Sequence, residues 1–265
     1  MSSIPIDILR HILEHCDKAG LSKMCLLNKV CCFCSQDFLY RDIQITEHLQ
    51  SGVYETLSRS TDLAKRVRSF EVTSGYYEAI PHPGLQKSLR NMIYLRHLQI
   101  PGYANASYAM TSLFDGCTFD LVSFTGGRYG PGIILPFLYS QKSLTNLNLT
   151  GIDVEDIDDI PKLGPPLLPK LTRVSTYFPL LPKLIPNRSV SEVITYGYWN
   201  SEESVDLSFF TLSNAPILKL TISHTYLYPK PGKFWASIFP SLTHLKIEVT
   251  DSNLCTVREP SFIHV

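Results

Sequence analysis

Apolar residues recur along this chain with two different periods, and the change falls near residue 45. Between residues 4 and 43 the spacing is helical. Ile8, Leu9, Ile12, Leu13 and Cys16 predict one helix, from Ile6 to about Cys16. Pro5 suits its first turn, where a missing N–H is not needed, and Asp7 puts negative charge near the positive end of the helix dipole. Gly20 predicts a break, after which Leu21 and Met24 open a second short helix. Leu27, Cys31, Cys34 and Phe38 follow at steps of four, three and four, the stripe of a third helix ending near Leu39.

From residue 65 onward another phrase takes over: an apolar residue, two variable ones, an apolar, a variable and an apolar. It is clear at Val67–Val72, Leu95–Ile100, Leu144–Leu149, Ile217–Ile222 and Leu242–Ile247, and poorer from Leu121, Leu171 and Val190. Starts at 67, 95, 121, 144, 171, 190, 217 and 242 lie 28, 26, 23, 27, 19, 27 and 25 residues apart. Each phrase predicts a short strand whose alternate residues face inward, followed by a return segment. One such unit cannot bury its apolar face, but stacked units share a core. The period resembles that of leucine-rich repeats. The Asn or Cys that usually follows each strand is mostly missing, so the repeats are degenerate. The proline-rich stretch from Pro161 to Pro186 suits irregular loops more than regular helices. The expected fold is α/β: three N-terminal helices over residues 1–45, a linker helix over 46–64, and an irregular solenoid with a curved parallel sheet over 65–265. A single α/β domain with a parallel sheet is the alternative.

Three short helices in about 40 residues have more apolar surface than they can bury among themselves without a staple or a partner. The segment therefore reads as a docking module. Its residues resemble an F-box. Ile4-Pro5-Ile6-Asp7-Ile8-Leu9, then Arg10-His11-Ile12-Leu13, follow the opening of that family; Ile4 stands for its Leu and Asp7 for its Glu. Asp17 and Leu21, Leu27-Asn28-Lys29-Val30-Cys31-Cys32-Phe33, and Phe38-Leu39-Tyr40-Arg41-Asp42-Ile43 match the rest in order, the last in a form abundant in fungi. Cys34 lies near the place where many members carry a tryptophan, which removes bulk from the third helix. The resemblance covers about a sixth of the chain, and Ser241–Ile247 is similar to irregular repeats found behind F-boxes. It implies that Ile4, Pro5, Ile8, Leu9, Ile12, Leu13, Leu27 and Val30 bind a Skp-type adaptor and through it a cullin. The chain would then be the substrate-recognition subunit of an SCF-type cullin-RING ubiquitin ligase, acting by proximity and carrying no catalytic residue of its own.

Charge and motifs add little that competes. Lys plus Arg number 24 and Asp plus Glu 24, so no overall field draws the chain to nucleic acid or an anionic membrane. The start has neither a basic region nor an apolar stretch, and no window holds the roughly 20 apolar residues of a bilayer span. A cytoplasmic or nuclear protein is expected, in which the sequons at Asn105, Asn148 and Asn187 carry no meaning. Of seven cysteines, Cys16, Cys25, Cys31, Cys32 and Cys34 crowd the helical segment, yet they lack the paired knuckles of a zinc site and read as small buried hydrophobes.

Gly126–Gly132 lacks the Gly-Lys-Ser/Thr ending of a phosphate loop, and Asp153–Asp159 lacks the glycine and glutamate of a calcium loop. Nothing assembles a nucleophile with a base, and no cofactor or metal is expected. On the strands, the residues alternating with the inward ones are Glu71, His97, Gln99, Asn146, Asn148, Arg173, Lys219, Thr221, His244 and Lys246. They form the expected face for a protein substrate. Their drift toward basic residues suggests an acidic or phosphorylated target, with a merely solvated face as the equal alternative. A repeat scaffold that binds protein without ubiquitin transfer, and an enzyme on a βαβ fold, are the competing functions. The chain ends soon after a strand: either the last residues, Glu259 to Val265, cap the solenoid irregularly or the chain is shortened.

Overall fold

The structure is a computed structural model describing residues 4–46, 50–73, 83–100, 113–127, 131–149, 167–196, 207–224, 236–249 and 262–263. It is an α/β protein built on parallel strands. The described residues up to Asp120 form one compact unit and those from Leu121 onward another. Asp153–Asp159 lies outside the described residues, as do Arg128–Gly130 of the glycine-rich stretch.

The first unit opens with three helices, α1 (Ile6–Glu14), α2 (Lys18–Met24) and α3 (Lys29–Leu39). Side-chain caps set the starts of the second and third. Asp17 accepts from the Gly20 N–H at 2.7 Å and Asn28 from the Cys31 N–H at 2.8 Å, each satisfying a donor that the first turn leaves orphaned. The break expected at Gly20 is therefore misplaced: it falls at residues 15–17, and Gly20 sits inside α2. A Cβ on Gly20 would meet the Asp17 carboxylate oxygen at 2.9 Å, so glycine there lets the cap close. Leu9, Leu13, Leu21 and Cys34 form the buried centre of the three helices, with Cys16, Met24, Cys31, Phe38 and Leu39 packed around it.

Strands β1 (Asp42–Ile45), β2 (Ser69–Val72) and β3 (His97–Ile100) of this unit pair in parallel and in sequence order. The sheet thus begins inside the segment read as helical ending, and runs across residue 45 without interruption. Between β1 and β2 the stretch read as one linker helix forms α4 (Gln50–Arg59) and α5 (Thr61–Ala64), with Ser60 capping the second. It is packed, not loose. Tyr54 and Leu57 are buried, and α6 (Pro83–Asn91) bonds to α4 through Ser88 Oγ to the Tyr54 carbonyl at 2.9 Å and Asn91 Nδ2 to the Leu57 carbonyl at 3.0 Å.

In the second unit β4 (Ser123–Gly126), β5 (Asn146–Leu149), β6 (Arg173–Tyr177), β7 (Glu192–Tyr196), β8 (Lys219–His224) and β9 (His244–Val249) pair in parallel, and β10 (Phe262–Ile263) joins β9 antiparallel. The returns include α7 (Pro131–Ser140), a 3₁₀ turn at Phe178–Leu180 running into α8 (Leu181–Leu184), and a second 3₁₀ turn at Ser208–Leu212. Every sequence phrase lies two residues ahead of its strand: 67 precedes 69, 95 precedes 97, and so on to 242 and 244. One backbone device accompanies them. The carbonyl at the second position of a phrase accepts both the second and third N–H groups of the next, as when Val122 accepts from Thr145 and Asn146, and Thr145 from Thr172 and Arg173. This satisfies backbone groups at the strand entrance, where the parallel ladder has not yet begun.

Candidate docking surfaces

The apolar residues of α1 divide between two sides. Leu9 and Leu13 turn inward, 6% and 0% exposed, while Ile8 and Ile12, one residue earlier in each case, remain 54% and 47% exposed. Helical geometry separates consecutive residues by about 100°, so the two pairs cannot share one environment. Of the residues assigned to adaptor binding, Ile4, Pro5, Ile8, Ile12, Leu27 and Val30 are on the surface. Leu9 and Leu13 hold the three helices together and are unavailable to a partner. Three exposed neighbours are not among the residues assigned to adaptor binding: Ile6, Leu26 at 86% exposure, and Phe33. Leu26 lies in the turn before α3, outside any periodic stripe, and Phe33 falls off the stripe that carries Cys31 and Cys34.

The strand residues expected to meet a substrate fall in different units. Glu71, His97 and Gln99 are on β2 and β3 of the first unit, where Glu71 and Gln99 are in register. In the second unit registers place Asn146 beside Arg173, Asn148 beside Ser175 and Lys219 beside His244. A recess of about 300 Å³ lies over Asn146, Asn148, Arg173, Ser175, Ile194 and Tyr196. Arg173, which lines it, and Lys246 on β9, which does not, each have an acidic neighbour. Arg173 pairs with Glu192 at 3.4 Å, and Lys246 with Glu248 at 2.5 Å. Ser175 and Tyr196 share a hydroxyl hydrogen bond at 3.0 Å, and the Asn148 side-chain oxygen is shut from solvent with no partner among the described residues. The floor is thus chiefly amide and hydroxyl, and the basic drift of the sequence is offset by acidic neighbours. Thr221 lies on β8 next to this surface and is half-buried. His244 is engaged locally, its Nδ1 lying 2.8 Å from Thr243 Oγ1.

Among the described residues, two thiols and one guanidinium depart clearly from their ordinary ionisation. Burial pushes the Cys117 thiol up to about 12, which suppresses its thiolate. The Cys25 thiol is raised by burial and then by Cys32 beside it. Arg188 is held below the usual guanidinium range by desolvation, but its donors are taken up by backbone carbonyls of Leu184 and Pro186 nearby and of Leu167 ahead of β6. Among the described residues no three His, Cys, Asp or Glu side chains gather as a metal site, and no helix is long and apolar enough to cross a membrane.

No protein-family model matches the chain, and no curated protein matches it. The class these observations define is an α/β protein on parallel strands whose three N-terminal helices leave apolar side chains exposed.

Proposed function

We propose that this chain is the substrate-recognition subunit of an SCF-type cullin-RING ubiquitin ligase. In this reading α1–α3 are an F-box that binds a Skp-type adaptor, and the strands behind them are degenerate leucine-rich repeats that hold a protein substrate. The observation that carries the reading is the apolar face of the three helices. Large hydrophobic side chains from Ile4 to Phe33 stand exposed around a centre that is itself well packed. Burying one such side chain contributes roughly 1.5–3 kcal/mol, so several together exceed much of the cost of association. The regular strand spacing supports the second half, because stacked repeats present a continuous face suited to binding and not to chemistry. The chain would then supply proximity, and the charged ubiquitin carrier would supply the reaction.

The test is capture of a purified Skp-type adaptor by the full chain. Ile8→Glu with Ile12→Glu is expected to abolish capture while leaving the melting temperature unchanged. Leu9→Glu is unsuitable, since a charge at a buried position would unfold the helices. If the intact protein captures no adaptor, the ligase reading fails and a repeat scaffold binding protein without ubiquitin transfer replaces it.

A further inference from the structure

A cleft of about 810 Å³ opens in the first unit beside α1, α3 and the segment running from α5 into β2. Five cations line it: Arg10, Arg41, Lys65, Arg66 and Arg68. Two carboxylates, Asp37 and Asp62, oppose them, so five minus two leaves an excess of three positive charges. The whole chain is neutral, with 24 basic and 24 acidic residues, so this excess is a local concentration and not a share of a general bias.

Three of the guanidinium groups are already fixed. Arg10 reaches Asp37 at 3.2 Å, and Arg66 pairs with the other oxygen of the same carboxylate. Arg66 also donates to the Phe33 carbonyl at 3.0 Å and lies over the Phe33 ring, 4.6 Å from its centroid. Its side chain is only 14% exposed. Arg68 donates to the Lys65 carbonyl at 2.7 Å and stacks over Tyr94 at 4.9 Å. One carboxylate serving two arginines leaves that group cationic, and the arginines held by carbonyls and rings keep their charge. Groups placed in advance lose less freedom when a ligand arrives. Arg41 and Lys65 stand exposed; Arg41 Nε is 3.9 Å from Asp42, and no ion pair within 4 Å joins Lys65 to another of the described residues.

We infer that this cleft binds an acidic peptide segment with about three negative charges in excess. Two features favour a peptide over nucleic acid. The cleft gathers an excess of positive charge in one recess of a chain with no net charge, whereas a strand of phosphates needs an extended basic track. The wall is also shared with a protein-docking face: Phe33, exposed among the apolar residues of α1–α3, lines the cleft. A protein seated on that face could run an acidic segment into it. The inference rests on the exposed face and the cleft, not on the adaptor's identity.

The experiment is fluorescence anisotropy of the full chain with a short labelled Glu- and Asp-rich peptide, beside its Gln and Asn counterpart. The acidic peptide is expected to bind, to weaken as salt rises, and to bind at least about tenfold more weakly to the Arg41→Glu, Lys65→Glu variant. Both positions are exposed, so the variant should keep its melting temperature. Arg41→Gln with Lys65→Gln serves in its place if it does not, with a smaller loss in the same direction. Ile8→Glu with Ile12→Glu should leave peptide binding intact, which separates this result from loss of the adaptor. No binding, equal binding of the neutral peptide, an unaffected double variant, or tighter binding of a single-stranded oligonucleotide would each overturn the inference.

Discussion

The three N-terminal helices and the strands treat the same kind of side chain in opposite ways. Twelve large hydrophobic side chains are exposed among the described residues, and eight of them, Ile4, Ile6, Ile8, Ile12, Leu26, Leu27, Val30 and Phe33, lie within the first 33 residues. On the strands the reverse holds. The leading residue of every phrase, Val67, Leu95, Leu121, Leu144, Leu171, Val190, Ile217 and Leu242, is buried. Composition does not explain this, since both regions are rich in Ile, Leu and Val. Geometry does. A strand in the middle of a parallel stack has a neighbour on each side and a return segment beneath, so its inward residues are covered whatever its length. Three short helices enclose a handful of side chains and leave the rest in water.

The sharpest way to break this comparison is to make one substitution in both places. Phe124 is fully buried on β4, with the Phe137 ring edge-on at 5.3 Å. Phe124→Ala should cost about 3–5 kcal/mol through lost burial and the cavity left behind. Phe33 is 53% exposed and stacks under Arg66. Phe33→Ala should cost about 1 kcal/mol or less, chiefly the cation–π contact. Urea denaturation read separately in each unit, by hydrogen exchange at β4 and at α3, measures both. Equal losses would mean that the helices are not the uncovered region they are taken to be.

Arginines give the second contrast. Arg188 is 3% exposed and donates to the Leu167 carbonyl at 2.8 Å, Leu184 at 3.2 Å and Pro186 at 2.9 Å. It ties the loop after α8, where Asn187 adopts a left-handed φ of 61°, to Leu167 ahead of β6. Arg188→Ala strands several buried carbonyls and should cost about 3 kcal/mol. Arg173, half-exposed and paired with Glu192, should cost at most about 1 kcal/mol when truncated, because surface pairs gain little over water. Thermal melts of the two variants decide it; a larger loss at Arg173 would place the important polar network on the strand face instead.

These contrasts also show what could be seen in the sequence. The eight phrases preceded eight strands by a constant two residues, since a strand's alternation and its first buried residue are local properties. A ninth copy stands ahead of those eight. Tyr40-Arg41-Asp42-Ile43-Gln44-Ile45 has the same form and makes β1, and its first residues coincide with the end of the F-box-like pattern at Ile43. Phrase positions six in β6 and β7 are Thr176 and Thr195, both buried with hydroxyls that have no partner among the described residues, and these polar inward residues are why the copies from Leu171 and Val190 read as poorer. On α1 apolar residues occupy two sides, and the packing of α2 and α3 decides that Leu9 and Leu13 face in while Ile8 and Ile12 face out. The cationic cleft draws on residues 10, 33–41 and 62–68, which no local pattern links.

The smallest effects test the comparison at the level of single hydrogen bonds. A helix that gains little from tertiary packing depends more on its own ends. The Asp17 carboxylate occupies an otherwise orphaned N–H at the start of α2, so Asp17→Ala should cost about 1 kcal/mol and loosen the N-terminal helices first. On the strands, hydroxyls of the same kind are redundant. Thr145 Oγ1 donates at 3.1 Å to a Val122 carbonyl that already accepts the Thr145 and Asn146 N–H groups. Thr145→Val keeps the shape and removes only that third donor, so its cost should stay within about 0.5 kcal/mol. Hydrogen exchange at the α2 amides, set beside that at the β5 amides, measures both. A Thr145→Val loss matching that of Asp17→Ala would show that side-chain hydroxyls, and not backbone carbonyls alone, set the entrances of the parallel strands.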